Sequence, residues 1–331
     1  MAPKLTIADV ASALGVSKTT VSRAISGKGR ISEETVRRVH EYIGLHNYKP
    51  NVVARGLAQQ KTYNIGVICS TEYDIFAYPF FHACLRGIGD VTAANGYDIL
   101  ITLVENSKSR DLQRVVDNCK VDGVILTRTT ANDPLAEYLK ANDIPFAAIG
   151  TSPDPDVLQV DNDHVAACSK LTASLLEQGC RRLALIGLDE GHVITRCRCD
   201  GFLAGYAAAG LTPDRTLIRL DAADQQHVGR IIDALQTRSV DGIICMDEKI
   251  TGQVMTACKQ RGIHIPDDWK LASFYDSSML DSSSPSVTAI RFDDRQLGAA
   301  AAQMLIDLFN GRQPQSRVFR DYRIIFREST A

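Results

Sequence analysis

Polar side chains that can donate hydrogen bonds to DNA recur along one face of a short segment near the N-terminus. Before them, residues 7–14 repeat apolar side chains at the spacing of one helix face, and Gly15 follows where such a helix must turn. Ser17 can then cap a second helix. The outward face of that helix carries Lys18, Thr19, Ser22 and Arg23. These side chains suit base edges and phosphates in a major groove, although a helical hairpin with a solvated polar face would show the same amphipathic pattern.

The residue order in this stretch is more specific than its amphipathic pattern. Ala8-Asp-Val-Ala11, Gly15-Val-Ser17 and Thr20-Val-Ser-Arg23 together resemble the DNA-binding domain of the LacI/GalR (lactose-repressor) family. The resemblance implies base contacts from Lys18, Thr19 and Arg23, and a pseudo-palindromic operator read by a homodimer. Further DNA contacts are implied for Thr6, Ser17, Thr20, Ser22, Ser32, Asn51, Ala54 and Leu57.

A helix-breaking segment, Asn47-Tyr-Lys-Pro-Asn51, separates this region from residues 52–58. A plain linker fits residues 52–58, because Gly56 weakens a helix by about 1 kcal/mol relative to alanine. The same residues resemble the family's hinge helix, Asn-x-x-Ala-Arg-x-Leu, which folds on operator DNA. The resemblance implies that Leu57 enters the minor groove at the centre of the operator, where an apolar wedge kinks the DNA.

Charge is distributed unevenly along the 331 residues, although the net charge is only −2. Residues 1–61 hold ten Lys or Arg against four Asp or Glu, and the remaining 270 residues hold 27 against 35. A basic N-terminal region on an acidic remainder is typical of a protein that contacts phosphate at one end. Nine irregularly spaced cysteines favour reduced thiols over a disulfide framework. No long apolar run and no signal-like N-terminus occur, which favours a cytoplasmic protein without a membrane partner.

From Asn64 onward, apolar runs alternate with helical segments. Runs at 65–69, 97–103, 123–126 and 146–149 form one series, and runs near 182–187, 216–220, 242–245 and 270–274 form a second. Each series predicts a parallel sheet covered by helices on both faces. The predicted fold class is therefore a small all-α helix-turn-helix domain followed by an α/β effector domain of two doubly wound lobes.

The last segment, with strands near 287–291 and 317–326 around a helix at 295–309, is too short for a third lobe and is predicted to cross between the two. The resemblance implies lobes shaped like periplasmic sugar-binding proteins, with three crossovers that we place near Asp161, Ile290 and Phe319. The expected domains are 1–49 (helix-turn-helix), 50–61 (hinge) and 62–331 (effector binding and dimerisation). Lobe 1 would comprise about 62–160 plus 292–318, and lobe 2 about 162–289 plus 320–331.

Sequence signatures of enzymes and cofactor sites are absent. Neither Gly-x-x-x-x-Gly-Lys-Ser/Thr nor Gly-x-Gly-x-x-Gly after a strand occurs, so we expect no catalytic residues and no cofactor. Asp161-Asn-Asp-His164 could bind a metal but is more typical of helix capping or ligand contact, so no metal is expected. Cys197 and Cys199 flank an arginine without Cys-x-x-Cys spacing, which leaves a thiol activated by arginines as an open alternative to a plain helix start.

Effector-binding residues are expected where the strands of the two lobes end, because ligands of open α/β sheets bind at the carboxyl ends of the strands. The resemblance implies that Arg196 holds effector hydroxyls and that Phe80 or Phe81 stacks on a sugar ring. The complete set of expected effector-binding residues is Phe80, Phe81, Arg128, Arg196, Asp247, Tyr275 and Asp276.

Three positions depart from the family pattern. Met246 replaces the usual asparagine, Tyr275 stands where an effector-binding aspartate is usual, and Gly150 stands where some relatives have an aspartate. Loss of acids beside Arg128 and Arg196 would favour a sugar phosphate or a sugar acid. Pairing of Arg128 with Asp133 at the surface is an equally consistent explanation of that arginine.

Together these features predict a LacI/GalR-type transcriptional regulator, a repressor rather than an enzyme. Its affinity for operator DNA would be controlled by a carbohydrate-type effector (a sugar, sugar phosphate or sugar acid) bound between the lobes. The alternative is a cytosolic sugar-binding or sugar-modifying protein with an incidental basic N-terminus. A homodimer is expected, because the chain ends shortly after its last strand without a helix for tetramerisation.

Overall fold

A computed structural model describes residues 5–27, 29–48, 56, 59–71, 78–105, 110–130 and 132–331. The chain divides into two compact units, residues 1–63 and 64–331. The predicted hinge contacts of Asn51, Ala54 and Leu57 lie outside the described residues.

The described part of the first unit is a bundle of three helices around a small core. The helices are α1 (Ile7–Leu14), α2 (Lys18–Ser26) and α3 (Glu33–Leu45). Each contributes one fully buried valine, namely Val10, Val21 and Val39. Because six residues make up the whole buried cluster, the bundle has little apolar area to stabilise it alone.

The helix ends follow from local side-chain chemistry. Thr6 and Asp9 form a reciprocal capping box at the start of α1, and Gly15 ends that helix at a φ of 64°. Ser17 and Ser32 accept hydrogen bonds from backbone N–H groups three residues on, which starts α2 and α3. The turn between α1 and α2 is therefore fixed by a left-handed glycine followed directly by a cap.

The second unit alternates strands and helices along its length. Its described strands are β1 (Asn64–Ser70), β2 (Asp98–Val104), β3 (Gly123–Leu126), β4 (Phe146–Ile149), β5 (Gln159–Asn162), β6 (Leu183–Ile186), β7 (Ile218–Arg219), β8 (Gly242–Cys245), β9 (Lys270–Ser273), β10 (Thr288–Phe292), β11 (Arg317–Phe319) and β12 (Tyr322–Ile325). Its described α-helices are α4 (Pro79–Ala94), α5 (Arg110–Asp117), α6 (Pro134–Ala141), α7 (His164–Glu177), α8 (Val193–Ala208), α9 (Gln225–Gln236), α10 (Glu248–Gln260), α11 (Ser278–Asp281) and α12 (Asp294–Phe309). None of the helices in the described part of the chain is long and apolar enough to cross a membrane.

Among the described residues these strands form two six-stranded sheets, one in each lobe. Their orders are β11-β5-β4-β3-β1-β2 and β12-β10-β9-β8-β6-β7. Neighbouring strands are parallel except β12, which pairs antiparallel with β10. Four of the strands that share this topology are buried along their whole length, as is typical of sheets covered on both faces.

The chain passes from one sheet to the other at three places in the described residues. It leaves the first sheet after β5 and enters α7, it leaves the second after β10, and it returns between β11 and β12. The prediction of one strand over 317–326 was wrong, because the chain changes sheet at Arg320 and Asp321 and so forms two short strands. The segment around Asp161, predicted only as a crossover, is also a strand, β5.

Close contact between helices depends on glycines. A Cβ atom on Gly87 of α4 would overlap the carbonyl oxygen of Arg295, and one on Gly298 of α12 would overlap that of Cys84. In the second lobe, Gly201 and Gly205 of α8 approach α7 in the same manner. Each lobe therefore contains a helix pair whose spacing only glycine permits.

Candidate functional site

The side chains predicted to read DNA lie on the surface of the first unit. Lys18, Thr19, Ser22 and Arg23 are exposed on α2, on the side opposite its buried Val21 and Ala24. The side chain of Arg23 runs beside Gly29, where a Cβ atom would stand 3.2 Å from its Cδ. The helix thus exposes two cationic side chains and two hydroxyls to solvent, while its buried Val21 and Ala24 pack in the core of the bundle.

Several of the other predicted DNA ligands stabilise helix ends. The Thr6 hydroxyl donates to Asp9 Oδ2 at 2.6 Å, and the Ser17 and Thr20 hydroxyls lie 2.8 Å apart. Ser32 accepts from the backbone N–H of Thr35. Ser17 and Ser32 thus lie at helix N-termini, where the backbone dipoles favour an anion such as phosphate.

A cavity of about 180 Å³ lies between the two lobes of the second unit. The carboxyl ends of both sheets line it, as expected for open α/β folds. Side chains of the first lobe that line it include Tyr78, Phe80, Phe81, Thr127 and Arg128. From the second lobe and the crossings come Asp161, His164, Thr195, Arg198, Met246, Asp247, Glu248, Tyr275 and Asp294.

Five of the seven predicted effector residues line this cavity, namely Phe80, Phe81, Arg128, Asp247 and Tyr275. Arg128 also acts on buried Asp133, whose pKa burial raises and Arg128 lowers. The surface pair and the cleft position considered for this arginine are therefore compatible with each other.

Arg196 does not line the cavity, and its prediction is corrected to Arg198. Two residues on an α-helix point about 200° apart, so Arg196 is exposed while Arg198 faces the cleft. Arg198 Nη1 donates to the carbonyl oxygen of Met246 at 2.5 Å, and its guanidinium carbon lies 6.0 Å from the Tyr275 ring centre. The periodicity of α8, rather than residue type, separates the two arginines.

Asp276 was also expected in the cleft and is not among its lining residues. Its side chain is 3% exposed and forms ion pairs with Arg291 at 2.6 Å and Arg327 at 2.8 Å. This carboxylate therefore ties β10 to the C-terminal segment. Its neighbour Tyr275 faces the ligand side instead.

Three carboxyl groups on one wall of the cleft have raised pKa values. Asp247 caps α10 by accepting from the backbone N–H of Ile250 at 2.8 Å, and burial raises its pKa. Burial, with the adjacent Asp247, raises the pKa of Glu248 to about 7. Burial also raises the pKa of Asp294, which accepts a 2.5 Å hydrogen bond from the Tyr275 hydroxyl. All three groups are held where loss of a proton is costly.

The pKa of Asp161, in contrast, is lowered. Burial opposes its ionisation, but His164, 3.2 Å away, and the Thr151 hydroxyl, at 2.8 Å, hold its pKa below the ordinary value. The neighbouring Asp163 caps α7, which agrees with the capping interpretation of this stretch. In the part of the chain that the structure describes, no cluster of His, Cys, Asp or Glu could hold a metal ion.

Glu248 and Asp294 correct the premise of an acid-poor cleft. Both carboxyl groups were missed from the sequence, although each stands within three residues of a strand end, where a cleft residue is expected. His164 belongs to the segment expected to cap a helix or contact a ligand, and it lines the cavity. At Cys197 and Cys199, burial raises the pKa of both thiols, which disfavours an activated thiolate.

Two segments of the chain match known families. Residues 6–51 match the bacterial regulatory proteins of the lacI family, and residues 172–330 match the periplasmic binding protein-like domain. The HTH-type transcriptional regulator MalR of Streptococcus pneumoniae is 29% identical over 323 residues, which are 95% of each chain. Catabolite control protein A of Staphylococcus aureus is 26% identical over 330 residues, covering 98% of this chain and 99% of that protein.

Solved structures of similar fold span the whole chain. A complex of the transcriptional regulator CelR with cellobiose is 25% identical, with a TM-score of 0.75 over 98% of this chain and 100% of that one. The lac repressor dimer bound to operator and the anti-inducer ONPF has a TM-score of 0.81 at 20% identity, over 99% of both chains. The predicted fold class, a helix-turn-helix domain followed by two α/β lobes, is confirmed.

Proposed function

Because the N-terminal domain belongs to the lacI family of bacterial regulatory proteins and a periplasmic binding protein-like domain follows it, we propose that this DNA-binding transcriptional regulator is a repressor controlled by a carbohydrate-type effector. The observation that carries the proposal is the polar lining of the interlobe cavity in a chain that also exposes Lys18, Thr19 and Arg23 on α2. The regulators named among its relatives support it. No enzymatic activity is proposed, and its site of action is the cytoplasm, on the nucleoid.

On DNA, Lys18, Thr19 and Arg23 read bases, and two copies of the domain in a homodimer read a pseudo-palindromic operator. Phosphate contacts come from the hydroxyls of Ser17, Thr20, Ser22 and Ser32, with Thr6 and Asn51 beside them. The hinge contacts of Ala54 and Leu57 are proposed from the sequence alone. Phosphate contacts supply position and affinity, whereas the base contacts supply specificity.

In the cleft, Phe80 and Phe81 pack on the apolar face of the effector, and Arg128, Arg198 and Asp247 hold its hydroxyls. Binding changes the relative placement of the lobes, which the three crossings join. Because operator affinity depends on how two hinges pair, such a change alters specific DNA binding by the coupling free energy between the two sites. A CelR complex with cellobiose among the similar structures supports a carbohydrate as the ligand class.

Selection of binding sites from random double-stranded DNA by the full-length protein tests the proposal. We expect a pseudo-palindromic consensus sequence. Lys18→Ala should relax preference at one symmetry-related pair of positions, by about 10- to 100-fold in discrimination, as is usual for loss of a base contact. Recovery of no palindromic sequence would instead favour a sugar-binding protein with an incidental basic N-terminus.

Arg37→Ala provides the control for general charge. Arg37 lies on α3 with a side chain that is 73% exposed and pairs with Glu41 of the same helix. Its removal lowers the positive charge of the domain by one without changing α2. We expect the consensus sequence selected by this variant to equal that of the unmodified protein.

A further inference from the structure

One wall of the interlobe cavity contains two buried carboxyl groups, each with one oxygen that accepts no hydrogen bond from the described residues. Glu248, at the start of α10, is 5% exposed, and Asp294, at the start of α12, is 7% exposed. Both line the cavity. Among the described residues, Glu248 Oε1 and Asp294 Oδ1 are buried oxygens without a hydrogen-bond donor. Buried acceptors of this kind are costly unless a ligand supplies the donor.

The cations near this wall form no ion pair with it among the described residues. No ion pair within 4 Å joins Asp247, Glu248 or Asp294 to a described Lys, Arg or His. Arg198 is the cation that lowers the pKa of all three, but its Nη1 is engaged by the Met246 carbonyl. Lys249 also acts on Asp247, yet its Nζ lies 6.0 Å from the centre of the Tyr78 ring.

The neighbouring groups leave one oxygen of Asp294 available. The Tyr275 hydroxyl donates to Oδ2, and His164, which also faces Asp294, is paired with Asp161. Asp293 and the thiol of Cys84 interact electrostatically with this carboxyl group and supply no positive charge. Glu248 and Asp294 line the same cavity, and the charge of Asp294 contributes to the raised pKa of Glu248.

A ligand hydroxyl can satisfy one acceptor, but it does not stabilise the ionised form of these carboxyl groups, whose pKa values burial raises. An ammonium group carries a positive charge and three donors, so it satisfies both carboxylates and offsets their desolvation. The N–H donor at Arg198 Nε is also buried without a partner in the described part of the chain and needs an acceptor such as a ligand hydroxyl oxygen. Donors and acceptors together describe a polyhydroxylated ligand with an amine.

We propose that the effector is an amine-bearing carbohydrate whose ammonium group binds between Glu248 and Asp294. This inference rests on the proposed carbohydrate-binding function of the cleft and specifies the charge of the ligand. It replaces the sugar phosphate or sugar acid expected from the sequence. Burial raises the pKa of Glu248 to about 7, and a bound ammonium group would lower it.

The test compares matched sugars on the full-length protein at pH 7. Glucosamine, galactosamine and mannosamine are each compared with the parent hexose, the N-acetyl derivative and the 6-phosphate, by thermal unfolding and titration calorimetry. We expect at least one amino sugar to stabilise the protein and to bind ten-fold or more tightly than its parent and N-acetyl forms. Equal or tighter binding of a neutral or phosphorylated form, or no stabilisation by any amino sugar, overturns the proposal.

Glu248→Gln and Asp294→Asn test the named carboxylates. Each keeps the side-chain size, and the readout is the ratio of amino-sugar to parent-sugar affinity within one variant, so a general loss of stability cancels. We expect the ratio to fall by about ten-fold in each variant and to be unchanged in Glu177→Gln, an exposed glutamate on α7. An unchanged ratio in both cleft variants also overturns the proposal.

Operator binding without any sugar is measured on the same protein and keeps the two proposals distinguishable. A neutral sugar that binds the cleft more tightly than any amino sugar and changes operator affinity would support the proposed regulatory function. It would overturn only the proposal that the effector carries an amine. Failure to select an operator sequence would contradict the proposed regulatory function, whichever sugars bind.

Discussion

Arg196 and Arg198 differ by two positions in the sequence and by their whole environment in the protein. Arg196 is exposed to solvent, and Arg198 lies against Tyr275 and the Met246 carbonyl. Residue type and motif indicate that one of these two arginines faces the cleft, but they do not indicate which one. The position of each residue around the helix decides that. Glu248 and Asp294 show the same limit, since their burial depends on elements far away in sequence.

Replacing Arg198 with alanine should weaken effector binding. A hydrogen bond to a charged group contributes about 1.5–3 kcal/mol, which corresponds to roughly 10- to 150-fold in affinity. Titration calorimetry measures the effect, with whichever sugar of the panel described above binds the unmodified protein. Arg196→Ala is the matched control and should bind normally, and equal losses in the two variants would contradict the assignment.

Glu248 should make the stability of the second unit depend on pH. Its folded-state pKa of about 7 lies above the ordinary value of 4.5, so the folded state binds the proton more tightly than the unfolded chain. The stabilisation from this group is complete below pH 4.5 and is lost as pH rises to about 7. Between pH 5 and pH 8, the free energy of unfolding of the unmodified protein should fall relative to Glu248→Gln by about 3 kcal/mol.

Urea denaturation at the two pH values measures this difference. Glu177→Gln, at an exposed position, should follow the unmodified protein at both pH values. A parallel pH dependence in unmodified protein and Glu248→Gln would show that Glu248 is not the buried titrating group.

At the scale of elements, each lobe depends on one close helix pair. Gly87 and Gly298 let the backbones of α4 and α12 touch, and α12 begins with Asp294. The same contact therefore positions a cleft carboxyl group relative to the aromatic side chains at the start of α4. Packing and site geometry are linked here because α12 carries both Gly298, at the helix contact, and Asp294, at the cavity.

Gly298→Ala should destabilise the second unit by about 3 kcal/mol, because the new methyl group meets the Cys84 backbone, which cannot move like a side chain. Gly89→Ala is the control on α4, since its nearest neighbour would be Ile99 Cδ1 at 3.8 Å. That change should be neutral or stabilising by up to about 1 kcal/mol, because alanine favours helix. Chemical denaturation measures both, and equal effects would contradict the close packing of α4 and α12.

At the scale of the whole molecule, the proposed function requires the free energies of binding at two sites to be coupled. The cavity belongs to the second unit and the polar face of α2 to the first. Three crossings join the lobes, so a ligand that contacts both can change their relative placement more readily than it can deform either sheet. Regulation then follows from the difference in effector affinity between the two lobe arrangements.

Effector and operator should therefore change each other's affinity by the same factor. Allosteric coupling of about 1–3 kcal/mol predicts a factor of roughly 5 to 150. Fluorescence anisotropy of labelled operator with and without effector gives one factor, and calorimetry of effector with and without operator gives the other. A factor of one in both measurements would contradict regulation through the cleft, and the sign of the change identifies inducer or corepressor.

The sequence by itself determined the order of elements and the polar face of α2. Caps such as Thr6 and Ser17, the left-handed turn at Gly15 and the apolar periodicities act over a few residues, so they can be read locally. Tertiary structure alone decided that Asp276 is used in ion pairs and that Arg198, Glu248 and Asp294 meet in one cavity. Burial and charge compensation depend on residues distant in sequence, which is why the exposed polar face of α2 could be predicted from the sequence and the carboxyl groups of the cleft could not.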